Sequence, residues 1–519
     1  MALLNSVIFW LIKKRYHQIE LFMKYPHDVQ FEWFRELMYA AKYTEWGKKY
    51  DYQSINTIEK FKERVPISSY DDLKPYIDRM RKGEENILWP TEIRYFAKSS
   101  GTTSERSKFI PVSEESLEEC HYKGGKDMLA IYYQSNPDSL FFDGKGIAMG
   151  GSHQINEVSN EEFYDGDLSA IIINNLPFWA EFHRVPKRRV ALMDDWELKI
   201  EEMARSTMHH DITNLSGVPS WTLLLLKRVL ELSGKKNILE VWPNLEVFFH
   251  GGVNFDPYRE QFRKLIPSDQ MNYFNTYNAS EGFFGIQDSN NSDEMLLMLD
   301  YGIYYEFIPI ENVGEDHPKT FQLDEVEIGK NYAMVISTNG GLWRYLIGDT
   351  VEFTSKVPYR IRITGRTMNF INAFGEELTI NNAEKALAIS CKKTNAIINE
   401  YTAAPLYFSD QQSGAHEWLI EFEQEPEKLE VFQKKLDKEL RKLNSDYDAK
   451  RKGDLLLGPP QIKSLPKGTY YLWMKKRGKL GGQNKVPKIA DNRKIAWTGK
   501  PKGMKNSKNK IVKQFLINK

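Results

Sequence analysis

Several short segments carry side chains suited to nucleotide chemistry. Residues 98–111, KSSGTTSERSKFIP, gather hydroxyls around Gly101 ahead of Lys108. Glycine permits a tight turn in which successive N–H groups converge on phosphate oxygens, and Ser or Thr hydroxyls add donors. That makes a phosphate cradle, although a polar surface turn would use the same residues. NTYNASEG at 275–282 follows the strand-like QMNYF and sets Ser280 and Glu281 where a strand ends. Ligands of open α/β sheets sit beyond strand carboxyl ends, so Glu281 could hold a magnesium ion bridging phosphates. A solvated loop carboxylate is the alternative. In GGLWRYLIGDTVEF (340–353), Asp349 stands between Gly348 and a β-branched run, where a carboxylate could accept both hydroxyls of a ribose; Gly-Asp is also a common turn. Arg366 in ITGRT suits a phosphate contact or an ion pair with a nearby carboxylate. HGGVN at 250–254 follows LEVFF, and Gly251 with Gly252 would let backbone approach a planar ligand, or simply end a strand.

Other chemistries lack their usual signatures. GxxxxGK[ST], HExxH, GxSxG, the kinase HRD/DFG pair and a strand-following GxGxxG are absent. His209, His210 and Asp211 have no metal-site spacing to a further ligand. Cys120 and Cys391 are the only cysteines, which excludes a disulfide framework and suits a reducing, cytoplasmic setting. Lys plus Arg (71) equals Asp plus Glu (71), so no chain-wide attraction to nucleic acid is built in. The apolar run at 2–12 precedes its charges rather than following them, and it falls short of the ~20 residues of a membrane span. With Leu4, Ile8, Leu11, Ile19 and Phe22 at helical spacing, it reads as an amphipathic helix docked on the body. Surface membrane attachment is the other reading. The last residues, 501–519, hold six lysines and no acid, a solvated tail or an arm for an anionic partner.

The elements that must position these residues follow from periodicity. Residues 28–50 and 57–64 look helical. Short β-branched or aromatic runs at 93–97, 146–149, 170–173, 245–250, 270–276 and 332–337 then alternate with helical stretches, the pattern of an α/β body. Runs at 321–326, 332–338 and 343–353 follow one another closely enough for an antiparallel meander. From 378 the texture changes to helix (380–390), strand (395–402), strand (418–423) and a long charged helix (425–444). The expected fold class is α/β: a large N-terminal domain of mostly parallel sheets with helices (1–378), a small mobile C-terminal α+β domain (379–500) and a basic tail (501–519). At 519 residues a sizeable core is available, and a monomer is the default expectation.

Taken in order, these segments resemble the GH3 acyl-acid amido synthetases. The resemblance rests on SSGTT (99–103) with Lys108 downstream, NLSGVPSW (214–221), FFHGGVNF (248–255), YNASE (277–281), WRYLIGD (343–349) and KGTYYLWMKKRGKLGGQNKVPKIADNRK (467–494). Each block is weak alone; their ordered combination over roughly residues 30–495 is specific. The family belongs to the adenylate-forming enzymes, whose small C-terminal domain swings between half-reactions. What the resemblance implies is ATP-dependent activation of a carboxylic acid as an acyl-adenylate, then transfer to an amine, for which an amino acid is expected. ATP and Mg²⁺ are the implied cofactors. Ser99, Ser100, Gly101, Thr102 and Thr103 would hold phosphates. Tyr277, Ala279, Ser280 and Glu281 would contact the nucleotide, with Glu281 catalytic and also on the metal. Asp349 would bind the ribose and Arg366 the nucleotide near the hinge. Lys485 in GGQNKVP is the expected mobile catalytic lysine; where plant members place a hinge lysine, this chain has FGEEL (374–378). Pocket residues around 218–223, His250 and Phe283 would shape acyl choice. A thioester-forming ligase and a non-catalytic nucleotide binder are the alternatives.

Overall fold

The computed structural model describes residues 14–100, 107–151, 153–156, 163–176, 178–193, 195–252, 255–290, 292–367, 370–376, 378–407, 413–454, 456–476, 486 and 488–490. Part of the phosphate loop (101–106), the segment carrying Lys485, the run at 2–12 and the basic tail lie outside them. The chain divides into two compact units: residues 1–99 with 108–367 form the large one, and residues 100–107 with 368–519 form the small one.

The N-terminal part of the large unit is helical because its apolar residues recur on one face. Helix Pro26–Ala41 has proline in its first turn, where the missing N–H costs nothing, and buries Phe34, Leu37, Met38 and Ala41. The helix expected across 28–50 is broken at 42–44, where the Thr44 hydroxyl accepts the Gly47 N–H at 2.9 Å and caps a new helix, Glu45–Lys49. Ile19 and Phe22, from the helical stretch 14–24, are fully buried.

The body is one eleven-stranded mixed sheet and one four-stranded sheet. In chain order the strands are β1 (Tyr95–Ser100), β2 (Ser107–Val112), β3 (Lys145–Ala148), β4 (His153–Asn156), β5 (Phe163–Gly166), β6 (Arg184–Val185), β7 (Ile212–Gly217), β8 (Val247–Gly251), β9 (Asn272–Ala279), β10 (Gly282–Ile286), β11 (Met295–Leu297), β12 (Ile303–Pro309), β13 (Asn331–Thr338), β14 (Tyr345–Lys356) and β15 (Tyr359–Arg366). The large sheet runs β12-β13-β14-β15-β11-β10-β9-β8-β7-β3-β6, and the small one runs β2-β1-β5-β4. From β6 to β9 every pairing in the large sheet is parallel; from β9 to β12 every pairing is antiparallel. The parallel flank is crossed over by helices such as Pro219–Ser233, and β8 there is a continuous apolar run, as burial on both faces requires. The antiparallel flank is the expected meander, enlarged. Its expected strand at 321–326 reduces to a single bridge between Phe321 and Phe307.

The strand expected at 170–173 is a helix, Leu168–Asn174. A short β-branched run does not distinguish strand from buried helix by pattern alone. Packing decides it: Leu168 with Ile171, and Ala170 with Ile173, are buried pairs three residues apart, so this short helix is buried on two sides.

In the small unit, β18 (Ile397–Leu406), β19 (Ala415–Gln424) and β20 (Gln461–Leu465) form a sheet with β19 central, after a short pair β16 (Phe370–Ile371) and β17 (Leu378–Thr379). Helices Ile380–Thr394 and Leu429–Leu443 accompany it, the first opened by a Thr379–Asn382 capping box.

Candidate nucleotide site

Three strands of the large sheet bring the separated motifs together. Tyr277, near the end of β9, is 5% exposed, and its hydroxyl donates to Asp349 Oδ2 at 2.6 Å. Asp349 on β14 faces Arg366 on β15 in register, and Arg366 Nε meets Asp349 Oδ1 at 2.5 Å. Gly348 just before it has φ 96°, a left-handed conformation that favours glycine, and its carbonyl accepts the Thr367 N–H at 2.8 Å. The motif glycine is thus a backbone requirement for presenting Asp349 beside Arg366.

Ser280 and Glu281 form the two-residue connection of the β9–β10 hairpin, since Ala279 pairs with Gly282. Ala279, Ser280 and Glu281 are half-buried at this tip. Burial pushes the Glu281 carboxyl above its ordinary value and Asp349 pushes it further, while Lys108 and Arg366 pull it down. Burial also raises the Tyr277 phenol well above its usual value, with Asp349 adding to the rise. Lys108 on β2 is buried; its ammonium donates to the Tyr345 hydroxyl at 3.4 Å and lies 5.8 Å from the Tyr70 ring centroid. Sequence reading noted Lys108 only as a neighbour of the phosphate loop and did not pair it with Glu281 or Tyr345. Its signal was its place as the lysine that follows the Ser/Thr/Gly run.

Ser99 is half-buried near the end of β1, and Ser100 closes that strand. Gly101, Thr102, Thr103 and Lys485 lie outside the described residues. At the neighbouring strand end, Gly251 runs so close to β9 that a Cβ would stand 2.5 Å from the Thr276 carbonyl oxygen, and Gly252 has φ 79°. His250 is buried and stacked on Phe255 at 4.1 Å, and burial takes its pKa down to about 3. Asp211, from the His209-His210-Asp211 run, accepts from Asn244 Nδ2 at 3.1 Å.

The arrangement offers a carboxylate held between a phenol and a guanidinium, with lone pairs left for hydroxyl donors. Beside it stands a second carboxyl whose burial and Asp349 neighbour leave its negative charge under-compensated. Mg²⁺ takes one or two carboxylates and completes its shell with water and phosphate oxygens, so Glu281 fits a metal carried with a nucleotide. Among the described residues, no group of three or more His, Cys, Asp or Glu could hold a metal ion without such a ligand. No helix of the described residues is long and apolar enough to cross a membrane.

Comparison with known proteins agrees with this architecture. Indole-3-acetic acid-amido synthetase GH3.3 of Arabidopsis thaliana is 24% identical over 540 aligned positions, covering 89% of each chain. Jasmonoyl--L-amino acid synthetase GH3.5 of Oryza sativa subsp. japonica is 22% identical, covering 92% of this chain and 94% of its own. Among solved structures, a GH3.15 acyl acid amido synthetase superposes with TM-score 0.57 at 16% identity, over 90% of this chain and 91% of that one. A 2-hydroxyisobutyryl-CoA ligase captured in its thioesterification state superposes with TM-score 0.55 at 14% identity, over 90% of both. These likenesses show a shared adenylate-forming ligase fold. Residues 15–271 match the GH3 family N-terminal domain, 296–366 its central domain and 381–494 its C-terminal domain, and the chain belongs to the GH3 family.

Proposed function

We propose that this protein activates a small carboxylic acid with ATP and passes the acyl group to an amine, in keeping with an amino acid as acceptor. The observation that carries this reading is the convergence of Tyr277, Asp349 and Arg366 with Glu281 and Lys108. In the first half-reaction a carboxylate oxygen attacks the α-phosphorus of ATP, and the bond to pyrophosphate breaks. In the second, the amine nitrogen attacks the acyl carbon, the bond to the phosphate oxygen breaks, AMP leaves and the amine gives up a proton. Neither step needs a covalent nucleophile on the protein; both need charge stabilised where it develops.

Each residue has a place in that scheme. Asp349, oriented by Tyr277 and Arg366, accepts the ribose hydroxyls. Glu281 holds the Mg²⁺ that accompanies the phosphates. Lys108 supplies positive charge on the phosphate side, with Ser99, Ser100, Gly101, Thr102 and Thr103 as hydroxyl and backbone donors. Ala279 and Ser280 line the nucleotide at the hairpin tip. Lys485 serves the adenylation step from the C-terminal domain (379–500). This assignment of residues and boundaries rests on the resemblance of the motifs. A monomer working in the cytoplasm suits the even charge and the two unpaired cysteines.

ATP–pyrophosphate exchange with Mg²⁺ over aryl and aliphatic acids, with no amine present, tests the first step. Acid-dependent exchange is expected, falling by about 10³-fold in Asp349→Ala with the melting temperature little changed. Full activity of that variant, or its unfolding, would overturn the role given to Asp349. Product analysis with amino acids against CoA then separates amide from thioester formation.

A further inference from the structure

The small unit carries a cleft of about 320 Å³ between helix Ile380–Thr394 and the start of β18. Glu384, Leu387, Ala388 and Cys391 line it from the helix, at the i, i+3, i+4 and i+7 spacing of one face. Ala396, Ile397 and Ile398 close the other side, with Ile397 52% exposed at the rim. The β18–β19 register shifts between Ile397 and Ile398 and again before Glu400, an irregularity that lets both isoleucines line the same cleft. Ala388, Cys391 and Ala396 are small and leave the space open. Mostly apolar walls with a few polar groups, around a volume of this size, are what a small-molecule site presents.

Tyr401 also lines this cleft. Its side chain is 5% exposed, its ring is stacked on Trp418 at 6.0 Å, and its buried hydroxyl has no hydrogen-bond partner. Buried polar atoms left unpaired are costly and uncommon, so this hydroxyl calls for a ligand group to pair it. Glu384 is exposed, and among the described residues that line the cleft it alone is charged. Its carboxylate lies near enough to the phenol to act on it: burial raises the Tyr401 pKa, and Glu384 and then Glu400 raise it further. Glu400 is paired with Lys488, whose ammonium sits 5.1 Å from the Tyr401 ring centroid. Lys385 and Lys392 each follow a lining residue by one position, which turns them about 100° further around the helix. The polar end of the cleft is thus a phenol and a carboxylate.

We propose that this cleft binds a primary amine with an apolar body. The hydrocarbon part packs on Leu387, Ala396 and Ile398, and the ammonium donates to the Tyr401 hydroxyl oxygen and to the Glu384 carboxylate. The inference goes beyond the adenylation reading, since no residue of the cleft has a part in that scheme. An ammonium carries three donors and no acceptor, so one headgroup serves both oxygens. An alcohol pairs the phenol but leaves Glu384 without a counter-charge, and a carboxylate is repelled by it. A wholly apolar ligand leaves the phenol unpaired.

Cys391 is a reporter already in place, half-buried on the cleft wall, whereas Cys120, the other thiol, is buried. The test is the rate at which methyl methanethiosulfonate, a thiol-specific reagent, modifies Cys391 in the full-length protein at pH 8, read by peptide mass. Added ligands are 2-phenylethylamine, 2-phenylethanol or 3-phenylpropionate. The amine is expected to slow the reaction saturably, the alcohol to need about fivefold more for the same effect, and the acid to have none. Glu384→Gln should weaken the amine about fivefold and leave the alcohol unchanged, and Tyr401→Phe should weaken both. Glu384 is exposed, so its variant is expected to keep the fold, which Cys120 staying unmodified verifies. Equal protection by all three compounds, or an amine preference that survives in Glu384→Gln, would overturn the inference. So would an amine that slows nothing at any concentration. Without ligand, protection of Cys391 that grows with protein concentration would assign the cleft to a second copy, and a thiol inert at every dilution would assign it to a segment of this chain. Either result also overturns the proposal.

Discussion

Two arginine–carboxylate pairs in the large sheet do opposite work. Arg344 and Glu306 are almost completely buried, with side chains 5% and 1% exposed, and every direction is filled. Both guanidinium bonds to Glu306 are 2.9 Å; the remaining donors reach the carbonyls of Lys62 and Val65, and the hydroxyl of Thr320. Arg344 even adopts φ 42° to do so. Arg366 and Asp349 are more open, at 25% and 8%, with a phenol on one oxygen and Glu281 close by. The first pair is saturated by the fold and locks β12, the start of β14 and the end of helix Ile58–Arg64 together. The second leaves acceptor capacity unused and a neighbouring charge under-compensated, as a site awaiting a ligand does.

The largest effect that would break this contrast is on stability. Glu306→Leu strands a buried guanidinium and is expected to cost about 3–5 kcal/mol in denaturant unfolding. Pairing it with Arg344→Met should recover most of that loss, since a buried pair replaced by apolar groups is often nearly neutral. If Glu306→Leu instead left stability unchanged, the saturated pair would not be the lock described.

A smaller effect is expected at Tyr277→Phe, which removes only the donor to Asp349 Oδ2. The loss of one charge-assisted hydrogen bond, about 1.5–3 kcal/mol, should appear as a roughly tenfold to hundredfold fall in exchange rate. The same fall measured with unchanged nucleotide affinity would place the phenol in orientation of the carboxylate rather than in binding.

The smallest is a gain. A carboxyl whose folded pKa is raised binds protons more tightly folded than unfolded, so stability declines as pH rises from the ordinary carboxylate range through the raised value. Glu281→Gln removes that decline: its melting temperature should exceed wild type at neutral pH, and the advantage should vanish below the ordinary glutamate range. The same variant should lose exchange activity. Melting curves from pH 4 to 8 check the sign, and an advantage confined to acid pH would refute it.

Much of this site could be read from residue types and order. Gly348 before Asp349, the Ser280-Glu281 tip after an apolar strand, and Arg366 after ITG each announced local geometry, because turn chemistry is a property of a few adjacent residues. What escaped was pairing at a distance. Nothing near Tyr277 indicates that its hydroxyl ends on Asp349, or that Lys108 lies within reach of Glu281; both depend on strand order across the sheet. The helix at 168–174 carries a strand-like signature in sequence, because a short Ile-rich run has no period long enough to separate strand from helix.

The sequence by itself determined the reaction family, through six motifs in fixed order, and it determined the α/β character and the texture of the C-terminal part through hydrophobic periodicity. The tertiary structure alone decided where parallel pairing gives way to antiparallel at β9, and which arginine became a lock and which a site. It also decided which polar atoms remain unpaired. Motifs and periodicity are carried by neighbours along the chain, whereas burial and charge compensation are set by residues that meet only when the sheet closes.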